Sequence, residues 1–440
     1  MKKINSYSKL KVKIERKDAI VAVIGLGYVG LPYAIAFADA GFTVHGIDLN
    51  KDKIQSIQSG VSYILDVDSK KLKELVQKGK LFVRSDYNSI AKADAVVVCV
   101  PTPLNKTRDP ELSYIISAFH NIKERMRHAQ LLVLSSTTYP GTTTELVLPV
   151  LKENNLVVGR DVFLAFSPER IDPGNAKYAL SDIPKVVGGI TPKCAELSSA
   201  LFKHIVKEVI IVRNTTTAEM VKLLENTFRS INIAFVNELA MMCSRLGVNI
   251  WEVIRAASTK PYGFMPFYPG PGMGGHCIPV DPLYLSWKMK ILNYRARFIE
   301  LAEEINRDMP YFVVQRIAEE TNKMSKPLFG SRIGILGVTY KKDVNDIRES
   351  PAIEIIKILR EKGAMVSYND PMIPNLSEDG VKMSSKKLTK QFLKNQVCVV
   401  ILSDHSFYDW DWIVRHSNLV IDFRNATANV QNYRQNIVLL

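Results

Sequence analysis

Short apolar runs alternate along this chain with stretches of helical spacing. Residues 19–24 form a β-branched apolar run that ends on glycine. An apolar stretch with helical character follows at 31–40, and 43–48 reads as a second strand. Near residue 331 the order recurs, with a strand at 332–338, a helix-like stretch at 351–362 and a strand at 364–368. Further strands are predicted at 95–100, 131–134 and 162–166, and at 397–402 and 419–422. Strands that are apolar along their whole length are covered on both faces, the mark of parallel sheets with helical crossovers.

The middle of the chain follows a different period. From 217 to about 257 helix formers run without proline, and Met220, Leu223, Leu224, Thr227, Phe228, Ile231, Ala234 and Phe235 recur every three or four residues. A second helical run at 284–308 flanks a loop rich in glycine and proline at 260–282. Helices this long between two sheets are a spacer or a surface that needs a partner. The expected architecture is α/β, with two Rossmann-like doubly wound domains at 1–213 and 326–440 joined by a central long-helix domain at 214–325.

Composition changes this picture little. A chain of 440 residues exceeds what a single core fills, and 47% hydrophobic with 23% charged residues excludes wholesale disorder. No apolar run approaches the roughly 20 residues that cross a bilayer. The basic N-terminus lacks a secretory h-region. Five scattered cysteines without a CxxC pair make neither a disulfide framework nor a zinc-finger spacing, so a cytoplasmic protein is expected. The net charge of +14 includes seven basic residues in the first 17 (Lys2, Lys3, Lys9, Lys11, Lys13, Arg16 and Lys17). The rest are dispersed, without a recognition-helix or RNA-binding signature. We therefore expect a solvated tail and a soluble surface, with no nucleic-acid partner.

Gly25-Leu26-Gly27-Tyr28-Val29-Gly30 ends a predicted strand, opens a predicted helix and is followed 18 residues later by Asp48 at the end of the next strand. In that context G-x-G-x-x-G is a dinucleotide fingerprint: the first glycine makes the turn, the second admits a pyrophosphate and the third lets the helix pack closely. Asp48 accepts from a ribose hydroxyl and repels a 2′-phosphate, which favours NAD over NADP. The second α/β unit lacks the fingerprint and instead carries Tyr340-Lys341-Lys342 after its glycines, which reads equally as a site for a different anionic ligand or as two surface lysines. Four glycines in six positions precede His276 and Cys277, and a helix N-terminus after such a loop raises the thiolate fraction of a cysteine. Cys99, Cys194, Cys243 and Cys398 lie in apolar settings and read as core. His276, Cys277 and Asp281 match no usual metal spacing, so no metal is expected. Lys222 and Asn226, four apart, share one helix face; on spacing alone a solvated lysine is the stronger reading, and an amine and an amide set to hold an oxyanion is the other. The segments 136–142 and 167–170 each follow a predicted strand, where α/β sheets present their working loops.

These pieces, in this order, resemble the UDP-glucose/GDP-mannose dehydrogenase family over nearly the whole chain: GLGYVG at 25–30, STTYPGTT at 136–143, SPER at 167–170, Ala218-Glu219, Lys222, Asn226, Asn237-Glu238, GGHCIPVDP at 274–282, and Tyr340-Lys341 leading to DIRESPA at 346–352. The resemblance implies NAD-dependent oxidation of a sugar C6 alcohol to a carboxylate in two hydride transfers, with Cys277 holding the aldehyde as a thiohemiacetal and then a thioester. It implies that Lys222 and Asn226 stabilise the oxyanion, Lys222 being also a candidate base, that Asp281 assists proton transfer, and that Thr137 and Glu169 position or activate water. Gly25, Gly27, Tyr28, Val29, Gly30, Asp48, Pro101, Thr102 and Thr137 would contact NAD. Glu169, Arg170, Lys222, Asn226, Gly274, Tyr340, Lys341 and, more weakly, Arg424 would contact the UDP-sugar. The central helices resemble the family's dimerisation element, which implies a homodimer, and a surface polysaccharide is the expected destination of the product.

Two departures narrow the substrate. His276 stands where UDP-glucose and GDP-mannose members usually have serine, and Pro173 where they often carry a second glutamate. Both resemble the branch acting on UDP-N-acetylhexosamines, with UDP-N-acetylglucosamine the first choice and UDP-N-acetylmannosamine the second. The competing readings are a two-electron dehydrogenase with a structural Cys277 and a catalytically decayed NAD-sensing protein. The joint presence of Cys277, Lys222, Asn226, Asp281 and Glu169 opposes decay.

Overall fold

The structure is a computed structural model that describes residues 5–64, 67–105, 107–171, 178–275 and 277–440. The chain folds as two compact units, Met1–Glu225 with Leu283–Tyr294, and Asn226–Pro282 with Arg295–Leu440.

The first unit is built on eight strands: β1 (Ile20–Ile24), β2 (Thr43–Ile47), β3 (Leu81–Arg84), β4 (Ala95–Val98), β5 (Leu131–Leu134), β6 (Phe163–Phe166), β7 (Lys185–Gly189) and β8 (Val209–Val212). Their order, β3-β2-β1-β4-β5-β6-β7-β8, reverses between β1 and β4, which opens a crevice at the C-terminal ends of those two strands. Alternate residues feed two cores. Val21, Val23, Ala95, Val97, Leu131 and Val133 pack with Leu31, Phe37 and Phe42. Ala22, Ile24, Val96, Val98, Leu132 and Leu134 pack with Ile115, Phe119 and Ile122. Burial on both faces accounts for the continuous apolar runs in the sequence.

The second unit carries β9 (Arg332–Leu336), β10 (Met365–Asn369), an antiparallel hairpin of β11 (Asn375–Glu378) and β12 (Val381–Ser384), then β13 (Cys398–Ile401), β14 (Val420–Asp422) and β15 (Ile437–Leu439). Its five-stranded sheet has the order β10-β9-β13-β14-β15 and is parallel throughout. The α/β class with a Rossmann-type sheet toward each end and long helices in the middle is thus the architecture observed.

Several expectations need correction. The stretch 217–257 is not one helix: Thr215–Leu246 stops at Gly247 (φ +69°), and Asn249 caps a new helix, Ile250–Ala257, by accepting from the Trp251 N–H at 2.9 Å. The run 284–308 divides likewise into Asp281–Ile291 and Arg297–Lys323, with Asn293 in the left-handed region between them. The large sheet is mixed, because β7 runs antiparallel to β6. Nor is the basic N-terminus merely a solvated tail. Asn5 caps a helix, Ser6–Glu15, that buries Leu10 and Ile14 in the first core and ties Lys13 to Asp94 at 2.9 Å. Lys2 and Lys3 lie outside the described residues.

Candidate active site

The first unit presents its glycine turn at the sheet reversal. Gly25 has φ +86°, and a Cβ there would meet the Cys99 carbonyl oxygen at 2.6 Å, while one at Gly30 would lie 1.8 Å from the Gly25 carbonyl oxygen. Both positions therefore require glycine. A Cβ at Gly27 meets nothing within 4 Å, which leaves the approach open where a pyrophosphate would come. The helix Gly30–Asp39 begins behind Val29 with no side-chain cap and no acidic residue in its first turn, so nothing anionic competes for its positive end. Tyr28 and Val29 are half-buried beside it. Asp48, at the end of β2, accepts from the Leu26 N–H at 2.8 Å and the Asn50 N–H at 2.9 Å, with Lys53 3.4 Å away. Cradle, open approach and carboxylate fit NAD.

Further loops gather at the same end of the sheet. Pro101 is exposed and Thr102 half-buried after β4, and the Thr102 carbonyl accepts from the Tyr284 hydroxyl at 2.5 Å. Beyond β5, Ser136 donates to the Val100 carbonyl at 2.8 Å and Thr137 is half-buried. The rest of that loop is pinned by Glu219, whose carboxylate accepts from the Gly141 N–H at 2.5 Å, the Thr143 N–H at 2.9 Å and the Thr143 hydroxyl at 2.6 Å.

After β6, Glu169 is buried and held at both oxygens. Oε1 accepts from the Arg170 and Ile171 N–H groups at 2.8 and 2.6 Å, and Oε2 from Lys185 Nζ at 3.0 Å. Burial pushes Glu169 up to about 7, opposed by those amides and by the cations Lys222 and Arg170. Burial also pulls Lys185 well below the ordinary lysine range, with the charge of Lys222 adding to the effect. Burial thus works against the charge of each partner, and the hydrogen bond between them opposes it. Lys222 is buried on the helix Thr215–Leu246, and Arg170 turns to Glu225 at 2.6 Å and to the Pro184 carbonyl at 2.7 Å.

The second unit holds Cys277. The Cys277 carbonyl accepts from the Asp281 N–H at 2.8 Å, so the thiol-bearing residue forms the turn that leads into the helix Asp281–Ile291. The Asp281 carboxylate is buried and accepts from the Asn226 amide at 2.5 Å. The glycine-rich loop before Cys277 lies against the rest of the unit so closely that a Cβ at Gly274 would stand 2.6 Å from Tyr340 Cβ, and one at Gly270 2.7 Å from an Arg424 guanidinium nitrogen. Arg424 is braced by the Leu402 carbonyl at 2.9 Å. Lys341 is half-buried beside Tyr340. Asn237 explains part of its own motif, since its side chain accepts from the Gly270 N–H at 3.0 Å and donates to Asn306 at 2.9 Å. His276 and residues 172–177, with the expectations placed on His276 and Pro173, lie outside the described residues.

Gly274, Tyr340 and Arg424 therefore meet in one unit, as do Asn226 and Asp281, while Glu169 and Lys222 sit in the other. Sequence reasoning missed Lys185 and Tyr33 entirely and gave Glu219 and Asn237 no task. The signal for Lys185 was a charged residue opening an otherwise apolar strand, Lys185-Val186-Val187.

Residues 19–206, 216–308 and 334–429 match, in turn, the NAD binding, central and UDP binding domains of the UDP-glucose/GDP-mannose dehydrogenase family. A UDP-N-acetyl-D-mannosamine dehydrogenase of Pyrococcus horikoshii is 36% identical over 92% of this chain and 95% of its own. A UDP-N-acetyl-D-glucosamine 6-dehydrogenase of Pseudomonas aeruginosa is also 36% identical, over 81% of this chain and 84% of its own. Among solved structures, a UDP-D-ManNAc dehydrogenase from Pyrococcus horikoshii superposes with a TM-score of 0.86 at 33% identity, covering 96% of this chain and 98% of the other.

Proposed function

This chain belongs to the UDP-glucose/GDP-mannose dehydrogenase family of NAD-dependent nucleotide-sugar dehydrogenases, and from that premise we propose that it oxidises the C6 alcohol of a UDP-N-acetylhexosamine to the uronate in two steps. NAD, when bound, supplies the hydride acceptor for both oxidations. Lys222, in its neutral amine form, takes the alcohol proton in the first step, and the ammonium so formed, with the Asn226 amide, steadies the oxyanion of the adduct that follows. The Cys277 thiolate then adds to the aldehyde carbon, forming a C–S bond and a thiohemiacetal that keeps the sugar in place for the second oxidation. The resulting thioester is hydrolysed. Water adds to the carbonyl carbon and gives its proton to Glu169, with Thr137 placing the water; the C–S bond breaks, and the thiolate returns while Asp281 serves proton transfer on the Cys277 side. The UDP moiety is assigned to Tyr340, Lys341 and Arg424, with Gly274 and Arg170 as further substrate contacts.

The observation that carries this reading is the packing of the Cys277 glycine loop against Tyr340 and Arg424, because it puts the nucleophile's loop and the residues assigned to the nucleotide in one unit. UDP-N-acetylglucosamine is the substrate the sequence favours, through His276 and Pro173. UDP-N-acetylmannosamine stands as the second reading because relatives named for either sugar are equally identical to this chain. Incubating the protein with NAD and each of UDP-N-acetylglucosamine, UDP-N-acetylmannosamine and UDP-glucose, and counting NADH per sugar, tests the reading. Two NADH per uronate are expected for the true substrate, and Cys277→Ser should abolish uronate formation. One NADH with free aldehyde would overturn the covalent route.

The same proposal includes a homodimer, supported by exposed Leu224, Phe228, Phe235, Met242 and Leu246, which recur at intervals of four and seven along the helix Thr215–Leu246. It also includes a cytoplasmic location. Among the described residues no helix is long and apolar enough to cross a membrane.

A further inference from the structure

Lys185 is a charged residue that the proposed chemistry leaves without a task, and it is only 3% exposed. Its ammonium has three N–H donors. All three are used, on the Tyr33 hydroxyl, the Pro168 carbonyl at 2.7 Å and Glu169 Oε2 at 3.0 Å. Nζ also lies 4.6 Å from the centroid of the Tyr33 ring and 5.2 Å from that of Phe202. Taking an ammonium and a carboxylate out of water costs several kcal/mol per ion, and an apolar side chain of the same volume often serves stability as well or better. Stability alone therefore gives no reason for a lysine here.

What the lysine does is complete the grip on Glu169. The backbone N–H groups of Arg170 and Ile171 fix Oε1, and Lys185 alone among the described side chains is hydrogen-bonded to Oε2. Tyr33, the second anchor of Lys185, belongs to the helix Gly30–Asp39 that opens at the last glycine of the dinucleotide turn. One helix thus serves the cofactor end of the sheet at its first residue and the Glu169 loop three residues later.

We propose that Lys185, anchored by Tyr33, is the positioning residue of Glu169, holding Oε2 so that the carboxylate is oriented and ready to take the proton of the water that hydrolyses the thioester. This rests on the reading of Glu169 as the water-activating group. The charged groups facing Glu169 are Lys185 from β7, Lys222 from the long helix and Arg170 from its own loop, with Arg170 itself balanced by Glu225. Removing Lys185 takes away the hydrogen-bonded cation and leaves burial to act on the carboxylate, so Glu169 becomes harder to ionise.

The test uses the full chain as wild type, Lys185→Met, Lys185→Arg and Tyr33→Phe. The Glu169 carboxyl band is titrated by difference infrared spectroscopy and assigned by its loss in Glu169→Gln. In Lys185→Met the midpoint should rise by about 1 to 3 pH units, Lys185→Arg should restore most of it, and Tyr33→Phe should give a smaller rise. In single-turnover kinetics with the sugar that wild type oxidises, Lys185→Met should slow the hydrolytic phase about tenfold or more at pH 7 and move its acid limb upward, while the first NADH forms within twofold of the wild-type rate. An unmoved midpoint in Lys185→Met overturns the proposal, as does equal slowing of both phases. Should that variant fail to fold, an unmoved midpoint in Tyr33→Phe does the same. If wild type produces no NADH from any sugar, the functional reading fails, and the infrared titration still decides whether Lys185 governs Glu169.

Discussion

Asp48 and Asp370 hold the same post in two different sheets. Each follows the second strand of its sheet, and its Oδ2 accepts the backbone N–H of the residue after the first-strand glycine, Leu26 at 2.8 Å for Asp48 and Val338 at 2.8 Å for Asp370. Those glycines, Gly25 and Gly337, have φ of +86° and +76° and donate to the end of the second strand, at Ile47 and Asn369. The echo between residues 19–48 and 332–370 thus extends to individual hydrogen bonds. The two carboxylates part company in what surrounds them. Asp48 is half-buried with Lys53 beside it, whereas Asp370 is fully buried with His405 Nε2 at 3.2 Å and His405 itself enclosed. The second sheet therefore keeps the turn but encloses its carboxylate with a histidine, and it lacks the G-x-G-x-x-G spacing of the first.

From this follows a separation of effects. Asp48→Ala should weaken NAD binding by about 10- to 100-fold, the worth of a hydrogen bond to a charged acceptor, and should narrow the preference for NAD over NADP. Asp370→Asn should leave NAD affinity unchanged and lower the unfolding free energy by about 1 to 3 kcal/mol. Calorimetric titration with both cofactors, together with urea unfolding, reads both. A loss of NAD affinity in Asp370→Asn would contradict the assignment.

The same comparison marks how far the sequence could be read. Gly25, Gly27, Gly30 and Asp48 announce themselves because a fixed spacing serves a fixed backbone geometry, and the apolar strands announce themselves through burial on both faces. The breaks at Gly247-Val248-Asn249 and the Asp379-Gly380 turn of the β11–β12 hairpin carried local signals, a left-handed glycine before an Asn cap and an Asp-Gly pair with both residues at positive φ. The first signal is outweighed by the longer apolar pattern around it, whereas the second sits between short, largely polar strands that no apolar alternation marks. The helix Ser6–Glu15 buries only Leu10 and Ile14 among its lysines, too thin a stripe to separate from a tail. Lys185 was beyond reach for a different reason: its partners Tyr33 and Glu169 lie 152 and 16 residues away, and no local period encodes that meeting.

Glu219 should make stability depend on pH in a direction opposite to that of an exposed, paired carboxylate. Burial raises it above the ordinary value of 4.5, against the pull of the Thr143 and Gly141 donors. A group whose folded-state value is raised holds its proton more tightly when folded. Its stabilising contribution is therefore complete below about pH 4.5 and is lost as pH rises through the folded value. Glu219→Gln removes that dependence. The stability advantage of wild type over this variant should be larger at pH 4.5 than at pH 8, by about 1.4 kcal/mol for every tenfold gain in proton affinity on folding. Urea unfolding at the two pH values measures it, and an advantage that grows with pH would refute the assignment.

A second copy of the chain is the partner expected for the helix Thr215–Leu246, where Leu224 is 61% and Leu246 75% exposed. Leu224→Glu or Phe235→Glu should convert a dimer into a monomer, because a charge buried in an apolar interface costs more than the lost contact. Sedimentation velocity distinguishes the two species. A monomeric wild type would remove the dimer from the proposal.

Asn226 and Asp281 make the sharpest case for testing a pair instead of two residues. In the proposed reaction Asn226 offers its amide to an oxyanion, yet here that amide is engaged 2.5 Å from the Asp281 carboxylate, and both side chains are buried. If its main task is to hold Asp281, removing it leaves a carboxylate short of a donor. Asn226→Ala and Asp281→Asn should then each lower kcat by about 10²- to 10³-fold with KM changed only a few-fold, as expected when an interaction matters chiefly in the transition state. The double variant should be scarcely worse than either single one, because both single changes dismantle the same unit. If Asn226 instead acts on the oxyanion independently of Asp281, the two losses should multiply. Steady-state kinetics on the three variants, each checked for unchanged NAD binding, decides between these roles.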